Sequence, residues 1–212
     1  MNKGIFITFE GVDGSGKTTI SKLVADKLIK QGFNCIYTRE PGGIDIAEQI
    51  RDVILDPKNT KMDAKTEALL YAASRRQHLI EKIVPALNEG AIVICDRFVH
   101  SSLAYQGVAR ELGFDEVYNI NEFAIEGIYP AKTIFLDLNE EEGLKRIQNR
   151  TFKDRLDQES LEFHKKVTEG YKLIKDRFSK DIIIVDASQS IDTVCEEALK
   201  KVIEVIDDIR SN

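Results

Sequence analysis

Apolar residues follow two alternating rhythms along the chain. Short runs dense in β-branched and aromatic side chains read as five strands: Ile5-Phe6-Ile7-Thr8-Phe9, Asn34 to Arg39, Ala91-Ile92-Val93-Ile94-Cys95, Lys132 to Leu138 and Asp181 to Val185. The third run is apolar throughout, as suits a central parallel strand covered on both faces. Between the runs the apolar positions recur at helical spacing. Ile20, Leu23, Val24 and Leu28 do so after Lys17; Ala68, Leu69, Ala72, Leu79, Ile80, Ile83 and Val84 do so between Asp63 and Asn88. Glu141 to Ile147 is a shorter amphipathic stretch, and Asp192 to Arg210 closes the chain with Val194, Ala198, Val202, Ile206 and Ile209. Pro85 has no N–H to continue a helical ladder, so the long second helix is expected to be interrupted or to end near it. Each strand is separated from the next by enough residues for a helical crossover. The expected fold is α/β, a three-layer, doubly wound, five-stranded parallel sheet with helices on both faces.

In such sheets ligands sit at the carboxyl ends of the strands. The first strand runs into Gly11-Val12-Asp13-Gly14-Ser15-Gly16-Lys17-Thr18 and from there into a helix. That is a phosphate-binding P-loop in its proper setting. Its glycines let successive N–H groups curl inward, and the helix N-terminus adds a positive dipole end facing the same anion. Lys17 is placed to reach β and γ phosphates, and the Thr18 hydroxyl to ligate the Mg²⁺ that accompanies a triphosphate. The second strand delivers Arg39-Glu40-Pro41-Gly42-Gly43 and the third Asp96-Arg97-Phe98. Asp96 reads as a carboxylate holding Mg²⁺ directly or through water, a strand-end salt bridge being the alternative, and Arg97 as a phosphate contact.

Composition narrows the class. The 212 residues suit a single domain, 1–212, with 42% hydrophobic residues to fill its core. A net charge of −6 argues against a general nucleic-acid or anionic-membrane surface, so any phosphate-binding charge must be local. Cys35, Cys95 and Cys195 lie far apart without metal-ligand spacing and are expected as free thiols of a reduced compartment. No stretch has the length of a membrane span, and the N-terminal apolar run is too short for a signal peptide; a cytoplasmic protein is expected.

Phosphoryl transfer needs more positive charge than one lysine. Arg51, Arg75, Arg76, Arg97, Arg150, Lys153 and Arg155 are the candidates, the last three in a polar segment at about 149–158 that reads as a mobile lid between two helices. A GTPase reading fails on context, because Thr60-Lys61-Met62-Asp63 precedes a helix and does not follow a strand.

The motifs in order, Phe9 to Thr19, Thr38-Arg39-Glu40-Pro41-Gly42-Gly43, Ala72-Ala73-Ser74-Arg75-Arg76, Asp96-Arg97-Phe98, Ser101 to Gly107 and Arg155-Leu156-Asp157-Gln158-Glu159, resemble the thymidylate kinases over most of the chain. The resemblance implies transfer of phosphate from ATP to dTMP with Mg²⁺, and a homodimer packed through helices. It further implies that Arg51 and Arg97 meet the dTMP phosphate, that Tyr71 stacks on thymine and that Arg75 reaches a base carbonyl. Ser102 and Gln106 are then expected to help read the base edge, Tyr105 to crowd the sugar, Asp13 to orient it, and Glu40 to belong to the acceptor site. Gly14 stands where some members carry an arginine, so the donor-side catalytic arginine is expected from the lid, as Arg150 or Arg155. Phe98 and Tyr71 exchange the commoner tyrosine and phenylalanine, and His100 stands at a position that is often acidic. Another nucleoside monophosphate kinase would share the donor half, leaving the acceptor residues to separate the two.

Overall fold

Two buried strands lie at the centre of the molecule. In the computed structural model, which describes residues 4–148 and 154–211, β1 (Ile5–Glu10) is buried at every position. It pairs in parallel with β3 (Ile92–Asp96), also buried throughout, and with β4 (Lys132–Asp137). β2 (Cys35–Arg39) and β5 (Ile182–Asp186) complete a five-stranded parallel sheet in the order β2-β3-β1-β4-β5. The register sets Phe9 and Arg39 on either side of Asp96, so three strand ends arrive level.

Helix α1 (Lys17–Lys30) covers β1, β2 and β3 and packs on the C-terminal helix, which in turn covers β4 and β5. After β2 the chain forms α2 (Asp45–Leu55) and α3 (Ala64–His78). The expected interruption near Pro85 is a π-helical turn, Leu79–Ile83, followed by the short α4 (Val84–Asn88) with Pro85 in its first turn. Proline supplies no N–H, and the wider turn absorbs the break without ending the rod. Beyond β3, α5 (Val99–Ser102) passes into a second π segment, Leu103–Ala109, which the spacing of apolar residues did not announce. Then come α6 (Phe114–Ile125), α7 (Glu140–Gln148), α8 (Leu161–Arg177) and α9 (Ile191–Ser211). Helix α8 packs along the second π segment, and its Tyr171 meets Phe135 of β4 edge-on. All three cysteines are buried free thiols, as expected.

Candidate active site

The turn after β1 takes its shape from glycines. Gly11, Gly14 and Gly16 have φ of 147°, 83° and 86°, values that L side chains rarely adopt. At Gly14 space is also closed, since a Cβ there would meet the carbonyl oxygen of Gly143 in α7 at 2.5 Å. An arginine at position 14 therefore cannot be accommodated against this α7. Ser15 N–H donates to Val12 O at 3.2 Å and closes the loop, and Lys17 opens α1 with its side chain folded back over it. The Lys17 ammonium donates to Val12 O at 2.7 Å and stands 3.9 Å from Asp13.

Burial, with Arg97 adding repulsion, pulls the Lys17 ammonium down to about 8. Its charge in the nucleotide-free protein is therefore lost as pH rises through about 8, whereas a bound triphosphate favours the charged form. The dissociation constant for MgATP is expected to rise above pH 8 by up to about tenfold per pH unit, with proton uptake on binding. Calorimetry in two buffers of different ionisation enthalpy measures both; a flat profile from pH 7 to 9 would contradict this assignment.

The ends of β2 and β3 complete the site. Arg97 sits at φ 72°, in the left-handed region, held by its own N–H on Phe9 O at 2.9 Å. Glu10, fully buried, ties down the residues that follow: its carboxylate accepts from Phe98 N at 2.8 Å, Ser101 N at 3.1 Å, Ser101 Oγ at 2.6 Å and the Tyr171 hydroxyl at 3.0 Å. Burial pushes Glu10 up despite Arg97 and these donors. The strained turn aims the Arg97 guanidinium at Asp13, which also accepts from the Tyr105 hydroxyl. One P-loop carboxylate thus joins Lys17 of the donor loop to Arg97 and Tyr105 of the opposite wall.

Beside it, Thr18 Oγ1 donates to Asp96 Oδ2 at 2.5 Å. Asp96 Oδ1 is buried and makes no hydrogen bond among the described residues. A buried carboxylate oxygen without a donor, next to a P-loop hydroxyl, is a donor set that suits a hard divalent cation, directly or through water.

A cleft of about 510 Å³ opens from this loop, walled by Asp13, Gly14, Gly16, Lys17, Thr18 and Asp96 on one side. On the other it is walled by Glu40, Arg51, Tyr71, Arg75, Arg97, Ser102, Tyr105 and Gln106. Most of the residues singled out in the sequence thus meet in one place. Arg75, 2% exposed, donates from Nε to Glu40 at 2.7 Å and from Nη1 to Ser102 at 3.1 Å and to Asn121. Glu40 is further braced by His78 Nδ1 at 3.1 Å, and Arg51 donates to Pro41 O at 2.9 Å.

Gly11, Val12 and Ser15 shape the loop from behind without lining the cleft. Arg155 does not line it either. Its Nε donates to Ile54 O at 2.7 Å and its Nη2 to Glu67 at 2.6 Å, which holds this stretch of chain against α2 and α3. Arg150 lies outside the described residues. His100 packs on Phe178 at 4.9 Å, and burial pulls it down to about 4, a neutral ring.

Sequence reasoning passed over three residues here. Arg146 of α7 donates to Gly14 O at 3.2 Å, bringing a cation onto the P-loop from that helix. Tyr171 reaches the site from α8, and Glu67 gathers four donor groups beneath Tyr71. Only Arg146 left a trace in the sequence, as a basic residue in the amphipathic stretch leading into the lid.

Comparison with known proteins agrees with this geometry. The family model described as thymidylate kinase matches residues 9–198. The thymidylate kinase of Bacillus licheniformis is 56% identical over 207 residues, covering 93% of this chain and 98% of its own. That of Clostridium novyi is 57% identical over 199 residues, covering 93% and 97%. The crystal structure of thymidylate kinase from Ehrlichia chaffeensis superposes with a TM-score of 0.78 at 31% identity, over 94% of this chain and 99% of that one. With a P-loop, an arginine-lined cleft and these relatives along nearly its whole length, the chain belongs to the thymidylate kinase family.

Proposed function

We propose that this cleft carries out the family's reaction, transfer of the γ-phosphoryl of ATP to dTMP to give dTDP and ADP for dTTP synthesis, with roles divided across Asp13. The observation that carries the division is that this single carboxylate contacts Lys17 on the donor side and Arg97 and Tyr105 on the acceptor side. In this reading the P-loop backbone and Lys17 hold the β and γ phosphates, while Arg97 and Arg51 hold the dTMP phosphate in line. Thr18 and Asp96 would hold Mg²⁺, which when bound neutralises phosphate charge. No general base is needed, because the attacking phosphate oxygen is already anionic. Tyr71 covers the thymine ring, and Arg75, Ser102 and Gln106 face its polar edge. Tyr105, kept a phenol by burial and bonded to Asp13, fills the space a ribose 2′-hydroxyl would take. Arg146 joins Arg150 as a source of donor-side positive charge, Arg155 anchors the segment on Glu67, and 149–158 acts as the lid of one kinase domain spanning 1–212.

Arg75→Ala tests the acceptor half. The KM for dTMP is expected to rise roughly tenfold to a hundredfold, as when a site loses a buried hydrogen-bonding partner, with KM for ATP little changed. A change confined to ATP would contradict the placement of the base.

We also propose a homodimer, in keeping with a cytoplasmic enzyme. Leu69 and Ile80 on the α3 rod and Phe123 on the adjacent α6 are 56%, 45% and 90% exposed, an apolar face that a second copy would cover. Phe123→Glu is expected to turn the dimer into a monomer in sedimentation velocity at micromolar concentration. An unchanged sedimentation coefficient would rule out this face.

A further inference from the structure

Glu67, a side chain that phosphoryl transfer does not use, is engaged on both carboxylate oxygens. It lies on α3 one turn before Tyr71 and is 1% exposed. Its Oε1 accepts from Gln106 Nε2 at 2.8 Å and Arg110 Nε at 3.3 Å; its Oε2 accepts from Arg110 Nη2 at 3.1 Å and Arg155 Nη2 at 2.6 Å. A carboxylate between two guanidiniums has only acceptor oxygens to offer. The Gln106 amide therefore has one orientation, its NH₂ toward Glu67. The amide oxygen at the opposite end takes no hydrogen bond among the described residues, and Gln106 borders the cleft with Tyr71 and Arg75. An acceptor facing the base suits thymine, whose ring N3 carries a hydrogen. Cytosine presents a bare N3 lone pair there, and two acceptors repel.

We propose that Glu67 is the positioning residue that fixes the direction of the Gln106 amide and, through it, the choice of thymine over cytosine. The inference rests on the placement of Gln106 at the base edge in the proposed function. Glu67→Gln keeps the shape but offers both a donor and an acceptor, so the facing amide is free to turn over. The ratio of kcat/KM for dTMP to that for dCMP is expected to fall at least about tenfold in this variant, mostly through KM. Arg110→Ala removes a charge partner of Glu67 but leaves its acceptors, and should keep the wild-type ratio even where it lowers stability.

An unchanged ratio in Glu67→Gln, with activity lost equally on both acceptors, would overturn the proposal. Gln106→Ala separates the two layers: if it collapses the ratio while Glu67→Gln does not, only the role of Glu67 falls, and if it too leaves the ratio unchanged, the placement of Gln106 falls with it. The wild-type protein supplies a test that needs no variant. The Gln106 side-chain NH₂ should exchange slowly with D₂O both before and after dTMP is added; fast exchange in the free protein would overturn the proposal.

Discussion

Lys17→Ala is expected to lower kcat about a thousandfold and to leave the fold intact. The ammonium is the one cation within the P-loop, folded over Val12 O at 2.7 Å where the phosphates of ATP are to lie. Charge that builds on the transferred group in the transition state needs a fixed counter-charge in a site that excludes water, and losing one such contact costs about 3–4 kcal/mol of barrier. Stability should move the other way. Burial holds Lys17 at about 8 against an ordinary 10.5, so at neutral pH the folded protein bears the cost of keeping it charged. Removing the side chain relieves that cost, and the Tm of the nucleotide-free variant should equal or exceed that of the parent. Turnover within tenfold of the parent, measured by coupled ADP release, would contradict the role; a sharp fall in Tm would show that Lys17 braces the loop instead.

Arg97→Ala is expected to lower kcat/KM for dTMP by about three decades, the larger part in kcat. The guanidinium does two jobs at once. It faces the acceptor side of the cleft, and with Tyr105 it holds the Asp13 carboxylate that stands 3.9 Å from Lys17. Its removal takes from Asp13 one guanidinium that contacts it and frees a strained turn whose left-handed φ of 72° aims that side chain. Arg97→Lys should recover little, because a single ammonium cannot span Asp13, Ser101 and a phosphate as the planar fork does. Steady-state kinetics with dTMP varied at saturating MgATP decides it. Activity within tenfold of the parent in Arg97→Ala would sink the assignment, and full recovery in Arg97→Lys would reduce it to simple charge.

The strands and the P-loop were legible in the chain because each depends on local signals. Ile92-Val93-Ile94 is apolar on both faces wherever it is read, and Gly14-Ser15-Gly16-Lys17 carries its conformational demand in its glycines. The strand ends shifted by a single position, as at Asp96 and Asp186, because a polar residue can close a ladder that the apolar pattern does not reach. The π segments were less accessible. Leu103–Ala109 departs from the 3.6-residue period on which helix reading depends, and it is this segment that supplies Tyr105 and Gln106 to the cleft. Glu67 was hidden for another reason. On sequence it is one more acidic residue in an amphipathic helix, and its partners Gln106, Arg110 and Arg155 lie 39, 43 and 88 positions away. Arg155 shows the same limit in reverse: it stood in the right segment for a donor-side role, but only the fold reveals Glu67, the α3 carboxylate that holds it.

The most direct test is ADP formation from MgATP with dTMP, dUMP, dCMP, dGMP, AMP and UMP offered in parallel at matched concentrations. Dominant turnover of dTMP is the expected result, since the cleft sets the Tyr71 ring, the arginines Arg51, Arg75 and Arg97 and the oriented Gln106 amide opposite the P-loop. Turnover of another monophosphate in preference to dTMP would leave the donor site standing and contradict the acceptor assignment from Tyr71 to Gln106.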